Sequence, residues 1–468
     1  MIRQSALFLA VIACASRAAF AQSSDATNGS ASPQLLLGAS LDHVRANYPT
    51  VKAALQDQVA ADRNVDLAKT AYLPQVNLLY QINRATINNV TGLLLPQAVI
   101  PAISGPVLPE TGRSAWNSGA GALVSWQPFD FGYRGAQVDA AREAAAAAQA
   151  GAKLTEVDVL DATVNAYLNV VAASRLVATA AANVERLKSL ANAVHVLVTN
   201  KLRAAVEGEQ ADAATGLAQS AYLNATRNLD LQRATLAKLL GRSRDDLNIS
   251  GDKLLSNLPV APFEAGGDLQ SHPAAAQEQA RVRQQAANLR ATTRSYAPEV
   301  ALVASASTRG AGKTAAGDYP GGSAGLDLNT TNWAAGVQVT FALGSLPTVR
   351  AKAAAQRATL AAERFRYDQT LADLSERLDQ ARTNLATARA LARLTPASLD
   401  AARAAQQQQR ARFVSSIASI TDVTTTTAAL AQAESEDAIA RINVWRALAD
   451  LAAAQGDMTP FRALVADR

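Results

Sequence analysis

The chain has little of what most enzymes use at an active site. Its 468 residues include one cysteine, Cys14, and three histidines, and aromatic residues make up only 5%. A single cysteine excludes a disulfide within the chain. The histidines (His43, His195 and His272) lie far apart, none stands in a metal-ligand spacing such as HExxH, and no Walker A sequence is present. We therefore predict no enzymatic activity, no cofactor and no metal site.

The first 21 residues form a predicted export signal. Arg3 gives a charged start, an apolar stretch follows, and Ala19-Phe20-Ala21 is a small-x-small cleavage site. A bacterial lipobox is the alternative, because Val11-Ile12-Ala13 precedes Cys14, which would then be lipidated. We favour cleavage after Ala21, since a signal that ends before Cys14 would be short. Residues 22–40 are interpreted as a linker.

The rest of the sequence lacks blocks of like charge and long apolar runs. The net charge is +5, and Lys and Arg are interspersed with Asp and Glu, so nothing indicates binding to nucleic acid. After the signal, no apolar run reaches the roughly 18 residues that a membrane-spanning helix needs. The exported chain is therefore expected either to be soluble in the periplasm or to cross a membrane as a β-barrel.

Two copies of one unit occupy residues 41–240 and 271–454, with a linker at 241–270 and a tail at 455–468. Each copy has the pattern of a helix, two strands, a long helix and a return helix, so an internal duplication is predicted. The strands are predicted at about 73–83, 115–127, 298–309 and 331–342, the long helices at about 133–203 and 348–413, and the return helices at about 209–240 and 421–454.

The predicted strands have one apolar and one polar face. Trp116 and Trp126 are ten residues apart, roughly 33 Å of strand, which a tilt of about 45° reduces to some 23 Å of height. That height matches the apolar band of a membrane barrel, with Trp116, Trp126, Trp333 and Phe341 as interface aromatics. A soluble sandwich with one wet face is the commoner origin of such alternation.

Four strands cannot close a bacterial membrane barrel, whose minimum is about eight. Open sheet edges are not tolerated in lipid. If the strands cross a membrane, several chains must share one barrel, with eight strands from two chains or twelve from three.

The alanine-rich long helices follow the strands almost directly. The first spans some 70 residues, or ~105 Å, and the second contains Pro396, which predicts a kink or a local irregularity. Helices of this length pack side by side as coiled-coil hairpins. The predicted strand-to-helix junctions contain Pro128, which is expected to end its strand, and Gly132 in a tight turn. Gly344 and Pro347 hold the equivalent places in the second copy.

In its order of motifs the sequence resembles the TolC family of outer-membrane efflux proteins. The resemblance rests on "AYLP" and "SYAP" before the first strand of each copy, and on "WQPFDFGYRGAQVDAA", "VDVLDATVNAYLNVVAA", "RFVSSIASITDV" and "ARINVWRALADL". It implies a homotrimer in outer-membrane lipid, with a shared 12-stranded barrel that continues into a long periplasmic α-helical barrel. It also implies a periplasmic adaptor protein and an inner-membrane RND or ABC transporter as partners.

The resemblance places a periplasmic aperture at the second helix turn. Asp422 stands where relatives often have an acidic residue, Arg412 and Phe413 match a basic and an aromatic position, and Ser416 replaces a common glycine. Ser419 and Asp422 also fit a helix capping box. Asp422 could therefore start a helix, or contribute to a three-fold carboxylate ring that selects cations; the two roles are compatible.

At the first turn, Glu207, Glu209 and Asp212 are expected to form a solvated turn and helix start, with adaptor contact or aperture lining as the alternative. Arg412 is expected to pair with a neighbouring helix. We predict a passive outer-membrane exit channel of a tripartite efflux pump. The alternatives are a type I secretion duct and, in another class, a non-channel periplasmic coiled-coil protein. The cargo, the pump class and the role of the apolar loop 84–114 are left open.

Overall fold

A computed structural model describes residues 34–86, 114–249, 251–256, 258–259, 268–312, 318 and 320–466. The predicted export signal with Cys14, and most of the loop at 84–114, lie outside the described residues.

The four strands form one antiparallel sheet in the order β1-β2-β3-β4. They are longer than a typical strand of five or six residues, and no other described strand pairs with the outer edges of β1 and β4. The strands are Gln75–Thr86 (β1), Ser114–Phe129 (β2), Glu299–Ala311 (β3) and Thr330–Thr340 (β4).

The register brings apolar side chains of all four strands to one face. Leu78 is opposite Ala122, Ala122 is opposite Ala306, and Ala306 is opposite Trp333. Because side chains alternate along a strand, the neighbouring rows lie on the other face. One such row joins Gln81, Gly119, Arg309 and Thr330. The sheet therefore has an apolar face and a more polar face, as the alternation predicts.

The remainder of the fold is helical, and two helices dominate it. They have 67 and 69 residues, each about 100 Å long at ~1.5 Å per residue. The helices are Leu37–Asn47 (α1), Pro49–Thr70 (α2), Tyr133–Thr199 (α3), Ala205–Leu240 (α4), Asp252–Ser256 (α5), Pro273–Arg294 (α6), Leu346–Val414 (α7), Ile420–Ala454 (α8) and Thr459–Val465 (α9).

The long helices pack side by side with the shorter ones. Helix α3 contacts α2, α4, α6 and α8, and α7 packs against α6 and α8. The thickest core lies near mid-height, where α1 packs on α3 and α9 packs on α1 and α8. Leu37, Tyr167, Trp445 and Phe461 are fully buried there. None of the described helices is both long and apolar enough to cross a membrane.

The structure corrects two details of the predicted junctions. Strand β2 does not end at Pro128 but continues to Phe129, with a register shift between Trp126 and Phe129. A proline has no N–H to donate, and a bulge is where a strand tolerates that loss. Gly132 has φ +86° and precedes α3, whereas Gly344 lies in a 3₁₀ turn and is not among the positive-φ residues. The two glycines therefore make different turns.

Candidate functional site

The two helical hairpins end in turns of the same design. The turn after α3 has Lys201 at φ +57°, and the turn after α7 has Ser416 at φ +59°. In both, the next residue closes the turn by donating its N–H to a helix carbonyl five residues back, Leu202 to Leu197 and Ile417 to Arg412, at 2.9 Å. This is the Schellman arrangement, which favours glycine at the left-handed position. Ser416, at the position where the resemblance to the TolC family leads one to expect glycine, is therefore in a strained conformation.

Arg203 joins the two hairpin tips. Its guanidinium lies 4.9 Å from the ring centroid of Phe413, and its Nη2 donates to the carbonyls of Phe413 and Ala418 at 3.4 and 3.5 Å. On its own hairpin, Nη1 of Arg203 lies 3.5 Å from Oε1 of Glu207, with which it forms an ion pair. Sequence reasoning did not identify Arg203, because its partners in the second hairpin are more than 200 positions away.

A small apolar cluster lies beneath Arg203. Phe413 is 4% exposed, and Ile420 and Val423 of α8 are buried against Val194 of α3. Together with Arg203, this cluster holds the tips of the first and second hairpins against each other.

Asp422 forms the predicted capping box at the start of α8. The Ser419 N–H donates to Asp422 Oδ2 at 2.9 Å, and the Asp422 N–H donates to Ser419 Oγ at 3.2 Å. The hydrogen bond from the Ser419 backbone, then that from its hydroxyl, and the nearby charge of Arg412 lower the pKa of Asp422. Asp422 is exposed, so the tip presents an ionised carboxylate to solvent.

The acidic residues of the first tip do not form one group. Glu207 is half-buried beside Arg203, whereas Asp212 accepts from the His195 ring at 3.0 Å, farther along the hairpin. Glu209 is exposed and has no partner among the described residues, and Arg412 acts only through space on Asp422. The predicted solvated turn therefore applies to Glu209 and not to Glu207.

A second network, also missed from the sequence, fixes the junction between sheet and helices. Arg134, 5% exposed, donates through Nε to Asp130 at 2.9 Å and through Nη1 to the Ala71 carbonyl at 2.8 Å. Its Nη2 donates to the Gln127 carbonyl, and its guanidinium lies 4.8 Å from the Tyr72 ring centroid. Arg134 thus joins the ends of α2 and β2 to the start of α3.

Asp130 completes this junction. Its Oδ1 accepts from the Gly132 N–H at 3.0 Å and its Oδ2 from the Arg134 N–H at 2.6 Å. Burial alone would raise the pKa of Asp130, but the hydrogen bonds and the charge of Arg134 outweigh it and lower that pKa. Arg294 of α6 reaches the same turn and donates to the Gly132 carbonyl at 3.0 Å. On the second copy, Pro347 lies in the first turn of α7.

The predicted interface aromatics lie on the sheet and at its ends. Trp126 donates through Nε1 to the Tyr72 carbonyl at 3.0 Å, next to the helices. Trp116 lies toward the opposite end, with Arg84 5.8 Å from its ring centroid. Trp333 is 81% exposed on the apolar face. Phe341 follows β4 and packs edge-to-face on Tyr296, at 5.2 Å between ring centroids.

No group of three or more His, Cys, Asp or Glu among the described residues is arranged to hold a metal ion. Gly321-Gly322-Ser323-Ala324-Gly325 has the letters of the GxSxG hydrolase motif, but it lies between antiparallel strands. The nucleophile elbow of hydrolases requires a turn from a strand to a helix. His272 caps α6 by accepting from the Ala274 N–H at 3.1 Å, which is a structural role.

The fold is that of known outer-membrane channels. The chain is similar to the outer-membrane channel OprN, with 18% identity and a TM-score of 0.73 over 90% of this chain and 89% of that one. The Campylobacter jejuni outer-membrane channel CmeC is 16% identical, with a TM-score of 0.74 over 90% of this chain and 85% of that one. The Vibrio cholerae outer-membrane protein VceC is 17% identical, with a TM-score of 0.72 over 90% of this chain and 96% of that one. A comparison with curated protein sequences finds no match.

A family model described as outer membrane efflux protein matches residues 40–242 and 268–457. These two ranges contain both predicted copies completely, and they make up most of the chain. The match confirms the predicted family, the outer-membrane location and a channel protein in place of an enzyme. It also excludes the alternative of a non-channel periplasmic coiled-coil protein. The chain belongs to the outer membrane efflux protein family.

Proposed function

We propose that three copies of this chain form the exit duct of a tripartite efflux pump. The duct conducts small molecules passively from an inner-membrane transporter, of the RND or ABC class, and a periplasmic adaptor to the exterior. The observation that carries the proposal is a sheet with one apolar face whose strands lead directly into helices about 100 Å long. The apolar face then contacts lipid and the polar face lines the pore.

The edges of the chain favour assembly from several copies. Strands β1 and β4 have open outer edges in the described sheet, and such edges need partners inside a membrane. The helices that continue these edges also expose large apolar side chains, such as Leu67 of α2 and Phe365 of α7. If β1 of one copy pairs with β4 of the next, the twelve strands of three copies form one closed barrel. The same arrangement gives α2 and α7 a neighbouring helix.

The hairpin tips are the proposed gate. Each copy contributes one Asp422 carboxylate, so three copies place a ring of negative charge at the aperture, which favours cations. Arg203 holds the first hairpin to the second in each copy. Docking of the adaptor and the pump would open the aperture like an iris by separating such contacts.

Deletion of the gene separates efflux from secretion. We expect the deletion strain to accumulate ethidium, a small cation, and the cloned gene to restore its export. The purified protein should migrate as a detergent-resistant trimer and conduct ions in planar bilayers. Normal ethidium export together with loss of a secreted protein would instead indicate a type I secretion duct. A water-soluble monomer would contradict both functions.

A further inference from the structure

A cavity of about 280 Å³ lies in the helical wall, away from the hairpin tips and the sheet. It is bounded by α3, α7, α8 and the start of α6. Three aspartates line it, Asp158 and Asp161 from α3 and Asp450 from α8, together with His272 and Arg377. The cavity lies where the first copy of the duplication meets the second, because α3 belongs to the first and α8 to the second.

The carboxylates of this cavity have fewer hydrogen-bond donors than two ionised groups need. The Asn165 amide donates to Asp161 Oδ2 at 3.3 Å and is also within hydrogen-bonding reach of Asp450. The other carboxylate oxygen of Asp161, Oδ1, is inaccessible to solvent and has no hydrogen-bond partner among the described residues. A protonated carboxyl is a donor as well as an acceptor. A proton on one of the two aspartates would therefore supply a missing donor.

The cations around the cavity offset this charge only in part. Arg377 of α7 acts on Asp158, and Arg446 of α8 acts on Asp450. Arg446 donates through Nη1 to Asn443 at 2.8 Å and through Nη2 to Asn169 at 2.7 Å, so both terminal nitrogens of Arg446 are engaged with side-chain amides.

His272, at the start of α6, contributes little positive charge. Its Nδ1 accepts from the Ala274 N–H at 3.1 Å, and its Nε2 lies 3.4 Å from the Ala453 carbonyl. Both contacts suit the neutral ring, with the proton on Nε2. Burial lowers the pKa of His272, which agrees with that assignment.

We propose that Asp161 and Asp450 hold one proton between them across the contact of α3 with α8, and that losing this proton loosens the helical wall. In the ionised state, two carboxylates from different helices repel each other and share the side-chain amide of Asn165. In the protonated state they form a hydrogen-bonded pair. The contact is therefore tightest in a mildly acidic medium.

The pKa values of both aspartates are raised, as expected for a pair that holds a proton. Burial, followed by the charges of Asp450 and Asp158, raises the pKa of Asp161 to about 6. Burial also raises the pKa of Asp450. A carboxyl whose pKa is raised by folding binds its proton more tightly in the folded state, so stability falls as pH rises. For Asp161 this loss begins near its ordinary value of 3.8 and is complete above about 6.

The test is the thermal stability of the full-length protein, purified in detergent, between about pH 5 and about pH 7.5. We expect the unfolding temperature of the wild type to decrease as pH rises over this range. The unfolding temperature of Asp161→Asn should decrease much less. Asp400→Asn is the control, because Asp400 is an exposed aspartate that pairs with nearby Arg403. It should keep the pH dependence of the wild type.

Infrared spectroscopy gives a second readout that packing alone would not change. The wild type at mildly acidic pH should show the band of a protonated carboxyl group, and Asp161→Asn should lose it. Asp450→Asn should lose both the band and the pH dependence, which keeps the test open if Asp161→Asn does not fold. The same pH dependence in Asp161→Asn and the wild type, or a wild type without the carboxyl band, would overturn the proposal.

Discussion

The guanidinium of Arg203 lies 4.9 Å from the ring centroid of Phe413, and this contact joins the first helical hairpin to the second. Arg203 also donates to two carbonyls of the second turn. An iris that opens by moving one hairpin away from the other has to break these interactions. Arg203 is therefore expected to resist opening, together with the apolar cluster that contains Phe413.

Replacing Arg203 by alanine should make the closed channel leak. A partly buried cation over an aromatic ring contributes roughly 1–2 kcal/mol, and a trimer would lose this three times. We expect a higher bilayer conductance for Arg203→Ala in the absence of adaptor and pump. Arg410→Ala is the control, because Arg410 is exposed near the same tip with no ion pair in the described structure. Equal conductance of Arg203→Ala and the wild type would exclude Arg203 from the gate.

The turn after α7 should become more stable when Ser416 is replaced by glycine. Ser416 has φ +59°, a conformation that costs an L-residue roughly 1–2 kcal/mol and glycine almost nothing. Hydrogen–deuterium exchange of the amides around residues 412–418 should slow in Ser416→Gly. The preceding residue, Ser415, has φ −82°, so Ser415→Gly should speed exchange. Faster exchange in both variants would mean that the left-handed conformation is not strained.

The two roles of Asp422 can be separated at its capping box. Asp422→Asn removes the charge, whereas Ser419→Ala removes the hydroxyl that caps α8 and leaves the charge in place. If the carboxylates form a ring at the aperture, cation selectivity in bilayers should fall in Asp422→Asn and persist in Ser419→Ala. Loss of selectivity in both variants would show that the cap, and not the charge, matters.

The same carboxylate gives the tip a dependence on pH. The hydrogen bonds from Ser419 lower the pKa of Asp422 below 3.8. A carboxyl with a lowered pKa stabilises the fold above its ordinary pKa, and this contribution is lost as pH falls through the folded value. The start of α8 should therefore loosen only in strongly acidic buffer, in contrast to the Asp161 region.

Local periodicity explains which parts of this structure could be predicted from the sequence. The faces of the strands and the long helices follow from repeats of 2 and about 3.6 residues, and the capping box of Asp422 follows from a spacing of three. The prediction that Pro128 ends β2 is wrong, because a bulge depends on how two strands pair. Arg203 and the Asp161–Asp450 pair join residues that are far apart in the chain, and no local pattern marks such partners.

The junction of Asp130 and Arg134 should be essential for assembly. Arg134→Ala would leave Asp130 without its cation and the Ala71 and Gln127 carbonyls without a donor. Breaking a buried ion pair from one side costs roughly 3–5 kcal/mol. We expect little trimer in the outer membrane and a lower unfolding midpoint for what remains. Arg142→Ala, which breaks an exposed pair with Asp139 on the same helix, should assemble normally. Normal assembly of both variants would contradict a structural role for the junction.

The orientation of the sheet can be tested with two neighbouring residues of β4. Val337 lies on the apolar face, opposite Leu302, and Gln338 lies on the other face, opposite Ala301. If the apolar face contacts lipid, an arginine at Val337 is unfavourable, by at most the roughly 2–4 kcal/mol that applies at the middle of the membrane. Val337→Arg should then fail to reach the outer membrane as a trimer. Gln338→Arg should assemble and change the ion selectivity of the pore, because its charge lies in water. The reverse result, with Val337→Arg assembled and Gln338→Arg excluded, would mean that the apolar face is turned inward.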